Sequence, residues 1–247
     1  MRVLGVIPAR LGSTRLPNKP LQMLAGEPLI TRVIQRVQEH GLVDELVVAT
    51  DAPEVAQVVE RSRVRVVLTS SRHLTGTDRV AEVAGKTEFA KFDAILNVQG
   101  DEPFVSREAV AGAIARVAQG DDIGTAAAPL DPALVDDPAR VKVVTDGRSR
   151  ALYFSRAAIP HLRDERDIEP GTYWQHLGVY AYTRETLRRW SSLEPSPAEL
   201  AERLEQLRAL HHGLRIGVAL LAEAVEPGVD TPDDLRRAEA QWHALQR

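Results

Sequence analysis

The sequence contains no cysteine. That excludes a disulfide scaffold, a thiolate nucleophile and a Cys-ligated zinc site, and it agrees with a reducing compartment. Lysine is nearly as scarce. Lys19, Lys86, Lys91 and Lys142 are all there is, and arginine supplies the other side-chain cations. We read that bias as base composition rather than function. A basic stripe is also missing: the formal net charge is -4 and the two signs are mixed throughout, which speaks against a nucleic-acid partner. No apolar run approaches the roughly 20 residues of a membrane span. The opening Val3–Ile7 is too short for a signal-peptide core and runs straight into Pro8 and Arg10. The expectation is a soluble, cytoplasmic protein without a membrane partner.

What is present is a chain of 247 residues, 44% hydrophobic. A chain of that size buries about 70–75% of its unfolded surface and needs no staple to fold. Short β-rich apolar runs alternate with helical patterns. Strands are expected over 2–7, 45–49, 64–68 and 94–98. Helices are expected over 28–39, 53–60, 77–84 and after Ser106, where Val110, Ile114 and Val117 share a face. Continuous apolar strands alternating with helices signal a mainly parallel sheet covered on both faces. The second half is less regular. Residues 141–144 and 151–154 read as neighbouring strands, 161–171 as an exposed charged loop and 177–182 as a strand. Residues 198–211 read as a helix burying Leu200, Leu204 and Leu207, and 215–221 as a strand. Thr231 caps a last helix with Pro232 first and Leu235, Ala238, Trp242 and Leu245 on its inner face. The fold class expected is α/β, a mainly parallel (mixed) sheet flanked by helices in a single domain, with a smaller β-rich lobe over roughly 130–185. In open α/β sheets ligands bind beyond the carboxyl ends of the strands. The chemistry should therefore sit after Ile7, Ala49, Leu68 and Val98.

The loop from Pro8 to Pro20 gathers Arg10, Arg15 and Lys19 with Ser13, Thr14 and Gly12. A triphosphate calls for such a set: cations to offset charge and backbone donors held still. It is neither a Walker A loop nor a Rossmann fingerprint. On charge alone it reads equally as a solvated basic surface; its place after a buried first strand favours an anion site. Asn97–Pro103 ends a buried strand in a turn carrying Asp101 and Glu102. Such an aspartate can hold Mg2+ beside a phosphate, although alone it reads first as a turn residue. In Gly228–Asp234, Thr231 and Asp234 make a good helix start, while Asp230 lies outside the cap and is free to serve as a second carboxylate. Thr75–Arg79 is a tight turn into a helix that could hold a base or ribose, and more simply a capped helix start. Taken singly, Arg156, His176, Tyr180, Glu205 and Gln206 read as surface or satisfied core residues. The adjacent His211 and His212 point to different helix faces and do not suggest a metal site.

In combination these stretches resemble the CMP-Kdo synthetases (3-deoxy-manno-octulosonate cytidylyltransferases). The resemblance runs through Ile7-Pro8-Ala9-Arg10, Ser13-Thr14-Arg15-Leu16-Pro17, Lys19-Pro20-Leu21, Val48-Ala49-Thr50-Asp51 and Gly76-Thr77 with Arg79. It continues in Asn97-Val98-Gln99-Gly100-Asp101-Glu102-Pro103, Val141-Lys142-Val143-Val144, Ala151–Arg156 and His176-Leu177-Gly178 with Tyr180. It ends in Leu204–Arg208 and Gly228–Pro232. The motifs stand in family order over nearly the whole chain. The resemblance implies a nucleotidyltransferase-type fold, a homodimer, Mg2+ as cofactor, and CTP and a 2-keto sugar acid as substrates, with CMP-Kdo serving lipopolysaccharide biosynthesis. By position it implies that Arg10, Arg15 and Lys19 hold the triphosphate and that Asp101 and Asp230 coordinate Mg2+. Pro8, Ala9, Ser13, Thr14, Thr75, Gly76, Thr77, Arg79 and Gln99 would complete the nucleotide site. Gln99, Arg156, His176, Tyr180, Glu205 and Gln206 would meet the sugar acid.

The chemistry agrees with such residues, because phosphoryl-type transfer relies on positioning and charge neutralisation rather than a protein nucleophile. Departures from the family pattern stand at Gln175, Thr183, Asp78 and Glu27. The first two bear on which acid is used: Kdo, its 8-amino analogue or another. A nucleotidyltransferase using UTP or a sugar 1-phosphate would have little use for the acid-binding set. A non-catalytic regulator would have lost a cation or a metal carboxylate. A glycosyltransferase would usually carry Asp-x-Asp where this chain has Asp101-Glu102-Pro103.

Overall fold

The computed structural model describes residues 1–73, 75–164, 169, 171–190, 192–226 and 228–245, with Leu245 by its backbone alone. The chain forms two compact units, Met1–Val105 with Glu226–Arg247, and Ser106–Val225. The first has a parallel sheet in the order β6 (Ala94–Val98), β1 (Val3–Ala9), β4 (Glu45–Thr50), β5 (Arg65–Leu68). Between β1 and β4 stand a two-residue hairpin, β2 (Met23–Leu24) and β3 (Glu27–Pro28), and helix α1 (Leu29–His40). Helix α2 (Pro53–Glu60) links β4 to β5, and α3 (Gly76–Gly85) precedes β6. β1 is buried along its whole length, and α1 buries Leu29, Ile30, Val33, Ile34 and Val37. Parallel strands place the ends of β1, β4, β5 and β6 at one edge, which is where a ligand site is expected.

β1 runs two residues beyond the expected Ile7, so Pro8 and Ala9 belong to the strand and not to the loop. The register explains why a proline is tolerated. Pairing with β6 stops at Val6↔Asn97, while pairing with β4 continues through Pro8↔Ala49. Past the end of one ladder, the missing N–H is not needed on that side.

The last helix of this unit, α8 (Pro232–Leu245), carries Ala238, Leu235 and Trp242 into a cluster with Leu16, Leu24, Leu29, Val229 and Phe104. Arg32 lies over the Trp242 ring at 4.5 Å, and Glu239 accepts the Ala25 N–H at 2.8 Å. The side chain of Leu245, expected on the same face, lies outside the described residues. Asp234 accepts from the Thr231 N–H and donates its own N–H to the Thr231 hydroxyl, closing the predicted cap.

In the second unit, β7 (Ile123–Pro129) pairs parallel with β11 (Ile216–Leu220) and antiparallel with β10 (Trp174–Thr183). β10 pairs with β8 (Lys142–Thr145), and β8 with β9 (Ala151–Ser155), both antiparallel. Helix α4 (Arg107–Ala118), capped by Ser106, lies on β7 and β11. Their contact is made at backbone distance: a Cβ on Gly124 would stand 1.9 Å from the Ala113 carbonyl oxygen. Asp121 is buried between Arg116 (2.7 Å) and Arg150 (2.8 Å) beneath Gly217.

The expected helix over 198–211 is two short helices, α6 (Pro197–Glu202) and α7 (Gln206–His211), with Arg203 between them at φ 55°. A capping box of Ser196 and Glu199 fixes the start of α6, and Arg208 of α7 returns to Glu199 at 2.6 Å. The break turns Leu200 outward, 62% exposed, whereas Leu204 and Leu207 are buried as expected. Helix α5 (Arg184–Trp190) follows β10, and Thr183 caps it by accepting the Thr186 N–H at 3.0 Å. Part of the expected loop 161–171 lies outside the described residues.

Candidate active site

Lys19 follows Asn18, whose left-handed φ of 53° turns the chain into a short 3-10 turn over Lys19–Leu21. Leu16, anchored in the α8 cluster, and the buried Pro20 hold the two sides of that turn. The Lys19 ammonium lies 2.5 Å from Asp101 and 2.7 Å from Asp230, and Arg15 reaches the other oxygen of Asp230 at 2.9 Å. Burial works against the Lys19 charge, but the two carboxylates outweigh it and hold its pKa above the usual lysine value.

The two carboxylates meet through main-chain contact. The Val229 N–H donates to the Asp101 carbonyl at 2.8 Å, so Gly228-Val229-Asp230 lies along the Asp101-Glu102 turn. Gly228 allows this close approach, since a Cβ would fall 2.8 Å from Glu102 Oε1 and 3.1 Å from the Asp101 carbonyl oxygen. Glu102, given no role by sequence reasoning, is thereby part of the cluster. Burial first, then repulsion from Asp101 and Asp230, raises its carboxyl to about 8, against an opposing pull from Lys19. The signal for it was the second carboxylate in the same turn.

Among the described residues no three His, Cys, Asp or Glu side chains converge as a metal cage. Asp101 and Asp230 instead converge on one cation, the Lys19 ammonium. That donor set fits a hard ion that takes its remaining ligands from phosphate oxygens and water.

Beside this cluster, Pro8, Gly76 and Gln99 come together. A Cβ on Gly76 would stand 3.4 Å from Gln99 Oε1 and 3.5 Å from the Pro8 ring. Thr75 caps α3 by accepting the Asp78 backbone N–H at 3.1 Å. Arg79 is 2% exposed and lies beneath the turn, paired with Asp51 at 3.1 Å and bonded to Thr69. The carboxyl ends of β4 and β5 thus supply the residues that fix the turn. Thr77 is buried with Arg79, while Arg10, Thr14 and Arg15 are exposed and Ser13 accepts the Leu16 N–H at 3.3 Å.

The residues assigned to the sugar acid are divided: Gln99 belongs to the first unit, the others to the second. Arg156 donates to the carbonyl oxygens of Glu202 (2.8 Å), Pro138 (2.8 Å) and Arg203 (3.5 Å). The buried Lys142 in turn donates to the Arg156 carbonyl at 2.5 Å. Gln175 accepts from Arg140 at 2.7 Å, so a cation stands beside the position where the family pattern usually carries one. Thr183, the other departure, is the cap of α5 described above. Gln206 opens α7 and is buried. Burial, with Tyr182 and Glu205 nearby, raises the Tyr180 phenol well above its usual pKa.

His176 lies 5.0 Å edge-on from Phe154 and 5.2 Å from Tyr180, and burial pushes its pKa down to about 3. It is therefore neutral in the fold. An unfolded chain binds a proton there below about 6.5. Between those values the unfolded state holds the extra proton, so stability falls as pH drops from 6.5 towards 3. The limiting slope for one such group is about 1.4 kcal/mol per pH unit. Urea unfolding of wild type and His176→Gln from pH 7 to pH 4 is expected to show the steeper loss in wild type. Parallel curves would mean that His176 titrates normally.

A parallel sheet with cations after its first strand and carboxylates after β6 suits the handling of a nucleoside triphosphate, the work of a nucleotidyltransferase. The family model of the cytidylyltransferases matches residues 4–216. The chain is 57% identical to a 3-deoxy-manno-octulosonate cytidylyltransferase of Gemmatimonas aurantiaca, over 99% of this chain and 96% of the other. It is 48% identical to that of Methylococcus capsulatus, over 94% of each. A solved structure of CMP:2-keto-3-deoxy-manno-octonic acid synthetase complexed with CTP superposes with a TM-score of 0.92, at 38% identity, over 99% of this chain and all of that one. The chain belongs to the cytidylyltransferase family, among the 3-deoxy-manno-octulosonate cytidylyltransferases.

Proposed function

We propose that this enzyme joins CTP and 3-deoxy-D-manno-octulosonate (Kdo) to give CMP-Kdo and diphosphate. The observation that carries the reading is the meeting of Arg15, Lys19, Asp101 and Asp230, from remote parts of the sequence, at the ends of β1 and β6. Relatives at 57% and 48% identity bear the name of that activity. The anomeric hydroxyl of Kdo attacks the α-phosphorus in line. A new P–O bond forms, the bond from the α-phosphorus to the oxygen bridging to the β-phosphorus breaks, diphosphate leaves with that oxygen, and the hydroxyl proton passes to solvent.

Arg10, Arg15 and Lys19 offset the charge of the triphosphate and of the departing diphosphate. To do so, Lys19 and Arg15 exchange carboxylate partners for phosphate oxygens. Pro8, Gly76, Thr77 and Gln99 form the wall against which the nucleoside rests. Asp101 and Asp230, released from Lys19, would hold Mg2+, which when bound supplies charge neutralisation at the reacting phosphate. His176, Tyr180, Glu205 and Gln206 orient the sugar acid, and the protons of Arg156 not given to carbonyls face its carboxylate. The working unit is a homodimer, which light scattering on the purified protein would test.

The deciding experiment is diphosphate release with Mg2+ and each of the four nucleoside triphosphates, with and without Kdo. Release is expected only with CTP and Kdo together. CTP binding without release on Kdo would mean a different acceptor, and failure to bind CTP would sink the reading.

A further inference from the structure

Thr125 is a fully buried hydroxyl in the middle of β7, and no other residue of that strand carries a polar side chain. The register of β10 against β7 slips beside it. Leu177 pairs with Ala126 and Tyr180 with Thr125, leaving Gly178 and Val179 as an irregularity in β10. Such bulges re-aim side chains and leave ladder carbonyls to be satisfied otherwise. Here two of them turn to one side chain: Thr125 Oγ1 lies 2.7 Å from the Val179 carbonyl oxygen and 3.3 Å from that of Leu177. The same oxygen lies 3.0 Å from His176 Nε2.

A threonine hydroxyl has one proton to give. Both carbonyls are acceptors only, so that proton goes to them, chiefly to Val179. Towards His176 the hydroxyl can then only accept, and Nε2 must carry the hydrogen. A neutral imidazole has a single N–H, so Nδ1 is left as a bare lone pair. No hydrogen bond to Nδ1 is made among the described residues.

From this geometry we infer that Thr125 is a positioning residue that locks His176 in the Nε2–H tautomer. Nδ1 is thereby set as an acceptor for a hydroxyl of the sugar acid. The inference rests on the proposed role of His176 in meeting that substrate, and it narrows that role. A bare nitrogen lone pair repels a carboxylate and accepts from a hydroxyl, so His176 reads a hydroxyl of the sugar and leaves the carboxylate to cationic side chains. The aromatic surroundings support this, since burial against Phe154 and Tyr180 suppresses the protonation that would give Nδ1 a hydrogen.

The test uses the full chain labelled with 15N in histidine, observed by NMR at neutral pH, alongside steady-state kinetics with CTP and Kdo. In wild type the His176 Nε2 is expected at a pyrrole-type shift and Nδ1 at a pyridine-type shift. Thr125→Val keeps the shape and removes the hydroxyl. It is expected to move the His176 shifts towards a tautomer mixture and to raise KM for Kdo roughly fivefold, with KM for CTP unchanged. Thr125→Ser should restore both. A wild-type spectrum with the hydrogen on Nδ1 would overturn the inference, as would a Thr125→Val variant with unaltered shifts and unaltered KM for Kdo. Should Thr125→Val fail to fold, wild type and Thr125→Ser still decide the tautomer. His176→Gln separates the two layers. An unchanged KM for Kdo there would overturn the role of His176 in meeting the sugar, whatever the spectrum says of Thr125.

Discussion

Asp101→Asn is expected to lower kcat/KM by about two to three orders of magnitude, the usual cost of removing one preorganised charge from a site of phosphoryl-type transfer. The substitution is nearly isosteric and Asp101 is partly open to solvent, so the fold should survive. Two effects act together. One carboxylate partner of Lys19 is lost, and with it part of what keeps that ammonium charged and in place. A proposed ligand for Mg2+ is lost as well, so the Mg2+ concentration needed for half-maximal rate should rise. Asp230→Asn should behave alike, with the additional release of Arg15. Diphosphate release against Mg2+ concentration, with circular dichroism as the control for folding, tests both variants. Wild-type turnover by either would remove that carboxylate from the chemistry.

Gly124→Ala is expected to destabilise the protein by about 3 kcal/mol or more, the upper range for forcing atoms into a filled core. The atom met is a main-chain carbonyl oxygen of α4 at 1.9 Å, with Arg116 Cβ at 3.0 Å. A side-chain tip could swing away; a carbonyl inside a helix can yield only if the helix lifts off β7. A loss of that size would lower Tm by roughly 6–12 °C in a chain of this length. Gly147→Ala is the matched control, because a Cβ there meets nothing within 4 Å. Thermal unfolding of both variants checks the argument, and a Gly124→Ala protein melting with the control would show that α4 does not rest on the backbone of β7.

Much of the first unit was legible in the sequence. β4 and β6 are apolar runs bounded by Asp or Gly, α2 opens at Pro53, and the buried face of α1 follows from its periodicity. The ends of elements were less so. Pro8 and Ala9 looked like loop because proline is normally a stop signal, and only the ladder ending at Val6↔Asn97 shows why it is not one here. The helix expected over 198–211 failed at Arg203, where a left-handed residue without glycine breaks a leucine pattern that periodicity joins. The capping box at Ser196 and Glu199 was a readable sign of a short separate helix.

Candidate residues can be named from the sequence, but not the bonds between them. That Lys19 meets Asp101 and Asp230 is a matter of tertiary placement. That Arg79 works from beneath its turn follows from Asp51 and Thr69, which no spacing connects to it. Thr125 carried a faint mark, a hydroxyl in an otherwise apolar strand, whose meaning depends on the irregularity across from it.

Lys19 and Asp230 stand 211 positions apart, yet both belong to one compact unit, because Ser106–Val225 is spliced into its sequence as one long excursion. Polymer statistics make such an excursion inexpensive, since each doubling of a loop adds only about 0.6 kcal/mol of closure entropy. The same separation is unfavourable for speed, because folding slows as the contacts that define the native state grow more distant in sequence. The chain can thus lay down its parallel sheet from local crossovers and still lack its second carboxylate. The proposed site is complete only once the segment carrying Asp230 and α8 has packed back against Leu16 and Leu24.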